Sequence, residues 1–369
     1  MQYTIGTLGS SGIVQPVGRI RALAAIAAAS LLRHRYIIAL ALISLAIAFA
    51  VGSFTGNLPD FRVVRSYAFN LSVAFWVGGC SYAVFRLFWL AIVDRNPSPS
   101  REFFSSFRRF FSNPERLSNG FNGIVAIMIF TSAFSVLKGA ISILKPFSWD
   151  PALAEIDRIL HFGWMPHEWL WWLLDIPAAV FALNFAYNFW FIALISTVFT
   201  AAITYRDTLL RHQFLISFML VWLIGGFFVA IGFSSAGPCY FERIGAGSTY
   251  QPLMEALTRA NETYPIWALS TQDMLWDGFT GKSGGSMGIS AFPSMHVASA
   301  VLFALYATRR SKYAGIIMWG FAAIIMLGSV VLAWHYAIDG YAGALFAVAI
   351  WKVTGSVLST SRAHGLEYA

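Results

Sequence analysis

A chain of 369 residues that is 58% hydrophobic, 17% aromatic and only 11% charged is no water-soluble globule, in which about 25% of residues are charged. Its mean hydropathy of +0.65 requires long apolar segments, and two cysteines without a low-complexity tract exclude a disulfide-stapled scaffold and a disordered chain. A net charge of +8 raises nucleic acid as a partner, but in a membrane chain the placement of Lys and Arg matters more than their sum, and no nucleic-acid partner is expected.

In chain order, residues 1–18 read as a tail and Arg19–Arg35 as an Ala-rich interfacial helix, basic at both ends. Stretches able to cross about 30 Å of hydrocarbon follow at 36–54, 67–92, 121–144, 176–203, 214–233, 294–308, 314–334 and 336–354. The expectation is an all-α polytopic membrane protein with about eight transmembrane helices. Between the second and third, Arg101–Phe111 alternates basic residues with phenylalanines, as an inner interfacial element does. The segment from Pro146 to Asp175 is punctuated by prolines and a glycine and carries five Trp. It predicts short helices at the outer interface, with Trp at headgroup level. Cys80 in an apolar stretch and Cys239 in a loop are not expected to pair.

With the N-terminus inside, the inner segments hold 16 of the 25 Lys and Arg residues and the outer segments seven. That excess predicts both termini cytoplasmic in a multi-pass plasma (inner) membrane protein. The long outer segments, 145–175 and 234–293, are then the covers for any aqueous cavity.

Ionisable residues at membrane depth are costly and therefore functional candidates. Two clusters stand at outer ends of spans: Ala291-Phe292-Pro293-Ser294-Met295-His296 and Trp334-His335-Tyr336-Ala337-Ile338-Asp339-Gly340. His335 and Asp339 are four apart, so on a helix they share a face. Asp339 can then take the proton of one ring nitrogen and leave the other as a nucleophile or base. A single His-x-x-x-Asp pair arises by chance; its company with Pro-Ser-Met-His on the same membrane side points to chemistry.

FPSMH followed some forty residues later by HYAIDGYAG resembles the second and third signature motifs of the type 2 phosphatidic acid phosphatase superfamily of membrane enzymes. Met295, where phosphatases usually have Gly, and the surroundings of the motifs are similar to the branch containing inositol phosphorylceramide synthase. The resemblance runs from about Ser234 to Ile350 and extends back to about Lys138. It implies a six-helix catalytic core and divides the chain into a cytoplasmic tail with interfacial helix (1–35), N-terminal transmembrane helices with an inner interfacial segment (36–120), a catalytic transmembrane domain (121–354) and a cytoplasmic tail (355–369). By the same resemblance, His335 matches the nucleophile that forms a phosphohistidine, Asp339 its orienting carboxylate, His296 the general acid and Ser294 a phosphate-holding serine. Phosphoryl transfer needs such a nucleophile, a proton donor for the leaving alkoxide and fixed positive charge around the equatorial oxygens. Neither metal nor cofactor is called for where Lys and Arg supply that charge.

The pattern departs from the superfamily at its cations. Ser329 stands six residues before His335, where the third motif has Arg, and the first motif, Lys-x6-Arg-Pro, is absent as such. Lys138 and Lys145, seven apart on one face near the outer end of the third span and followed by Pro146, have the spacing. Arg243, with Tyr240 beside it, stands where the family places its first motif, ahead of PSMH. These four residues are the candidates for substrate contact.

The expected function is a membrane-embedded lipid phosphotransferase that moves a phosphate or phosphorylated head group, inositol phosphate-like, to a lipid hydroxyl. With water as acceptor the same centre is a lipid phosphate phosphatase acting on phosphatidic acid or a prenyl diphosphate. The partners are thus a lipid phosphate or phospholipid, a hydroxyl or water acceptor, and the bilayer. A reading from another class is a transporter with a proton relay. A relay spreads ionisable groups through the membrane, whereas His296, His335 and Asp339 gather at one face and only Arg86 and Lys138 lie deeper. The glycines of GKSGGSMG, in loop 244–290, suggest mobility.

Overall fold

The computed structural model describes residues 16–58, 65, 69, 79–80, 83–204, 208–282 and 288–363, and every regular element among them is helical. The N-terminal elements are α1 (Pro16–Arg33), α2 (Arg35–Thr55), α3 (Ala83–Ile92) and α4 (Pro99–Phe111). Next come α5 (Pro114–Leu144) and, over the end of the bundle designated outer, with the opposite end designated inner, the trio α6 (Asp150–Leu160), α7 (Pro166–Trp169) and α8 (Trp171–Leu174). The rest of the bundle is α9 (Pro177–Ile203), α10 (Thr208–Gly232), α11 (Gln251–Thr263), α12 (Trp267–Phe279), α13 (Met295–Arg310), α14 (Lys312–Val331) and α15 (Ala337–Ala363).

Six of these, α2, α5, α9, α10, α14 and α15, are long and apolar enough to cross a membrane. The chain is a polytopic all-α membrane protein. The expected crossing at 67–92 lies for the most part outside the described residues; α3 is its final stretch. Span 294–308 corresponds to α13, whose 16 residues rise about 24 Å. This helix is the centre of the bundle: α9, α10, α14 and α15 all pack on it, and Val297 to Ala304 are buried without a break. Ala298, Ser299, Ala300 and Ala304 keep its girth small, so that four neighbours approach closely. Its first residue, Met295, lies over Gly225 and Gly226 of α10.

The inner ends of α5 and α10 start several residues before the apolar runs at 121 and 214. Hydropathy stops at ionisable residues, but here neighbouring helices satisfy them. Arg211, only 1% exposed, donates to the carbonyls of Asn119 and Ala201 and to His34, while His212 bonds the carbonyls of Thr208 and Arg33. Ser30 of α1 donates to Asn119 of α5, and Arg33 pairs with Glu115. These bonds tie α1, α2, α5 and α10 into one inner cap.

At the outer side, α6 buries Asp150, Leu153, Ala154 and Asp157 and turns Ile156 and Ile159 outward. Phe162, Trp164, Trp169 and Trp172 are also exposed, the pattern of the expected interfacial helices. The long loop between α10 and α13 is helical over much of its described length. It folds into α11 and α12, and Leu253, Ala256, Leu257 and Ala260 of α11 are buried. Residues 283–287, within GKSGGSMG, lie outside the described residues. Cys80 and Cys239 are both free.

The outer end of α15 is set against the start of α13 by Gly343, where a Cβ atom would stand 2.6 Å from the Ser294 carbonyl oxygen. Gly343→Ala therefore forces the two helices apart and is expected to cost about 1–3 kcal/mol. Gly320→Ala, whose Cβ meets nothing within 4 Å, leaves stability at or slightly above that of the parent chain. Thermal unfolding of both variants in detergent checks this; equal midpoints for the two would contradict the packing described.

Candidate functional site

Three chain segments that are remote in sequence meet at the outer end of α13: Ser234–Cys239 after α10, Ala291–His296 leading into α13, and Ala333–Asp339 between α14 and α15. Each is shaped by local chemistry. Ser294 caps α13, its hydroxyl oxygen accepting from the Val297 amide. The turn after α14 closes by a left-handed residue, Ala333 at φ 59°, and by the amides of Trp334 and His335 donating to the Ser329 carbonyl at 3.0 Å each. Gly237, at φ 104°, brings the first segment against the Trp334 carbonyl, 2.8 Å from where a Cβ would lie.

Backbone hydrogen bonds then stitch the segments together. The Ala291 amide donates to the Ser235 carbonyl, the Cys239 amide to the Ala333 carbonyl, and the Ser294 amide to the Asp339 carbonyl. The Phe292 amide donates to the Ser235 hydroxyl. From outside, Asp150 accepts from the amides of Ala236 and Gly237 and from the Tyr336 hydroxyl, and Asp157 accepts from the amides of Ala337 and Ile338.

The imidazole of His335 is 7% exposed. Its Nδ1 lies 2.8 Å from the Ala291 carbonyl oxygen and 3.4 Å from Asp339 Oδ2. A carbonyl only accepts, so Nδ1 carries the hydrogen and Nε2 keeps its lone pair. Asp339 was expected to be the proton acceptor. In the structure the Ala291 carbonyl is the nearer one, and Oδ2 of the fully buried Asp339 takes the Tyr336 amide at 3.0 Å. Burial pulls the His335 imidazole down to about 4; its bond to Ala291 opposes this and the charge of Lys138 reinforces it.

His296 lies beside it, ring centroids 6.2 Å apart. α9 holds this second imidazole between aromatic faces: Tyr187 stacks at 4.5 Å, Trp190 lies at 4.1 Å, and the Trp190 indole donates to the His296 carbonyl at 3.1 Å. Of the candidate cations, Lys138 is the one whose charge reaches both imidazoles. It is exposed on the surface of α5, a helix long and apolar enough to cross a membrane.

The structure does not bring the other three candidates to the histidines. Arg243 pairs with Asp273 at 2.6 Å and lies over Trp276, at the rim of a cavity of about 510 Å³ that neither histidine lines. Lys145 donates to the Gly232 carbonyl at the end of α10, and Tyr240 donates to the Gln272 carbonyl. Each is held by a carbonyl or carboxylate 30 or more positions away, which sequence spacing does not report. Sequence reasoning missed Asp150, Tyr336 and Trp190. For Asp150 a signal exists: Asp150, Leu153, Ala154 and Asp157 follow the i, i+3, i+4, i+7 pattern of a buried stripe, with a carboxylate at each end. Among the described residues no three His, Cys, Asp or Glu side chains converge as metal ligands do.

A family model described as the PAP2 superfamily matches residues 151–353, more than half of the chain. No curated protein and no solved structure matches.

With the His335 imidazole held at about 4, its neutral, reactive form persists well below the ordinary histidine value of 6.5. Acylation of His335 by diethyl pyrocarbonate, followed by mass spectrometry, is expected to stay level from pH 8 to about pH 5 and to fall only below that. A half-point near 6.5 would show an ordinary, solvated imidazole.

Proposed function

Because the chain belongs to the PAP2 superfamily, and is thereby an integral membrane enzyme of the lipid phosphatase and phosphotransferase type, we propose that it transfers a phosphate or phosphorylated head group to a lipid hydroxyl through His335. The observation that carries this reading is the His335 imidazole itself, with Nδ1–H turned to the Ala291 carbonyl, Nε2 left with its lone pair, and a second histidine alongside.

In the first step the Nε2 lone pair attacks phosphorus and the bond to the leaving oxygen breaks. His296 delivers a proton to that oxygen, so that an alcohol departs rather than an alkoxide. In the second, His296 takes the proton of the acceptor hydroxyl, whose oxygen displaces His335 from phosphorus. Lys138 supplies positive charge for the equatorial oxygens, the role left vacant by Ser329. Ser294 and Asp339 hold the two histidine-bearing segments in register through the bond between the Ser294 amide and the Asp339 carbonyl. The site lies on the extracytoplasmic face with both termini cytoplasmic, as the excess of inner Lys and Arg supports. The lipid enters from the side of the bundle.

The near-complete burial of His335 favours an acceptor hydroxyl presented by a lipid over bulk water. The second reading keeps the same centre with water as acceptor, a lipid phosphate phosphatase.

The test is turnover in lipid nanodiscs containing phosphatidic acid, a prenyl diphosphate, and phosphatidylinositol with ceramide or diacylglycerol, followed by release of phosphate and by lipid mass spectrometry. A new phospholipid without free phosphate is the expected product; free phosphate alone establishes the phosphatase. His335→Ala abolishes either reaction, His296→Ala slows it by about 10²–10⁴-fold, and Lys138→Met by about 10²-fold or more. Turnover that survives His335→Ala would refute the mechanism.

A further inference from the structure

The helix α6 touches neither imidazole, yet it buries two carboxylates, Asp150 at 0% and Asp157 at 1% exposure. Burying a carboxylate is expensive unless hydrogen bonds and charges compensate. Among the described residues neither one meets a lysine or arginine; both are spent on the catalytic segments. The burial also raises both groups above the ordinary carboxylate range, against the pull of the amides they accept from. A helix selected for stability alone places leucine at such positions, next to Leu153 and Ala154.

What the two side chains hold explains their presence. Helix α15 begins at Ala337 and is preceded by Tyr336, a residue without the short oxygen-bearing side chain that caps a helix. Its first two amides, those of Ala337 and Ile338, donate instead to Asp157 at 2.7 and 2.8 Å. The cap of the helix bearing Asp339 therefore comes from another part of the chain. About two turns earlier on α6, Asp150 accepts from the Tyr336 hydroxyl, next to His335, at 2.8 Å. It also accepts from the amides of Ala236 and Gly237. That segment takes the Ala291 amide through the Ser235 carbonyl, and Ala291 is the residue whose carbonyl sets the tautomer of His335. The imidazole, its proton acceptor and the start of α15 all hang on one short helix.

We propose that α6 is a clamp for the catalytic turn, with Asp150 and Asp157 as positioning residues that fix the angle and tautomer of His335. The role rests on His335 being the reacting group, as argued above, but its geometry stands without any substrate. Small displacements of a reacting group matter: about 1 Å is enough to cost about 10²-fold in rate.

The experiment compares Asp157→Asn, Asp150→Asn and the milder Tyr336→Phe, all in the full-length protein in nanodiscs, with Glu155→Gln as control. Glu155 lies on the exposed face of α6 in a pair with Arg158. Three readouts are taken: kcat and KM on the substrate found active in the nanodisc panel, the pH half-point of His335 acylation by diethyl pyrocarbonate, and the thermal midpoint. The two Asp→Asn variants are expected to lose about ten- to hundredfold in kcat, with KM within about twofold. Their acylation half-point moves up from about 4 toward 6.5 as the loosened imidazole becomes solvated. Tyr336→Phe, which deletes a single hydroxyl, shifts both readouts in the same direction by less, and Glu155→Gln shifts neither. Unchanged kcat and half-point in the Asp→Asn variants and in Tyr336→Phe would overturn the proposal. So would losses that only follow the fraction of protein unfolded. Because acylation needs no substrate, a shifted half-point without turnover in any lipid supports the clamp while refuting the proposed reaction.

Discussion

An imidazole that must remain unprotonated deep in a protein needs one nitrogen tied to a fixed acceptor and the other left open. In this bundle the Ala291 carbonyl is that acceptor, and a backbone carbonyl cannot move without moving its segment. The surrounding architecture follows from this. Ala291 is held by Ser235, Ser235 by the loop that Asp150 grips, and His335 by a turn folded onto the Ser329 carbonyl. Removing any one of these relations leaves a buried polar group without its partner, at a cost of about 1–3 kcal/mol.

The central helix makes such precision affordable. α13 is short, rich in alanine and serine, and enclosed by α9, α10, α14 and α15. Its first turn stands where all four neighbours converge, so that His296 is pinned by Tyr187 and Trp190 of α9 and Met295 by the glycines of α10. The aromatic faces do for His296 what the carbonyl does for His335: they fix a ring. One ring is left with an open lone pair and the other is enclosed by aromatic faces. Two histidines of the same type thereby acquire different environments.

The outer and inner ends of the bundle show two answers to the cost of burying charge. At the inner end Arg211 is surrounded by carbonyls and a histidine, and α10 is tied to α5, α9 and the junction of α1 and α2 as a result. At the outer end Asp150 and Asp157 are surrounded by amide and hydroxyl donors, and α6 is tied to the turn that bears His335. Polar groups inside a membrane protein act here as fasteners between elements that apolar contact would leave free to slide, because lipid tails compete equally well for apolar surface.

Much of this was legible in the chain. Apolar runs announce the spans because hydrocarbon tolerates little else, and PSMH and HYAID mark the candidate site because ionisable residues at that depth need a reason. The helical nature of the chain, its crossings and the two histidine motifs are local properties of sequence. The choice among Lys138, Lys145, Tyr240 and Arg243 was not legible. Spacing treats them as equals, whereas Lys145 is drawn to the end of α10, Tyr240 to Gln272 and Arg243 to Asp273, contacts made by residues 30 or more positions away. The sequence places Asp339 beside His335, where it lies 3.4 Å from Nδ1, but not the nearer Ala291 carbonyl at 2.8 Å, which is close only in space. The sequence by itself determined which residues are too costly to be idle. Only the tertiary structure decided which of them face one another, because hydrogen bonds and charges act over a few ångströms and the chain reaches those distances by folding.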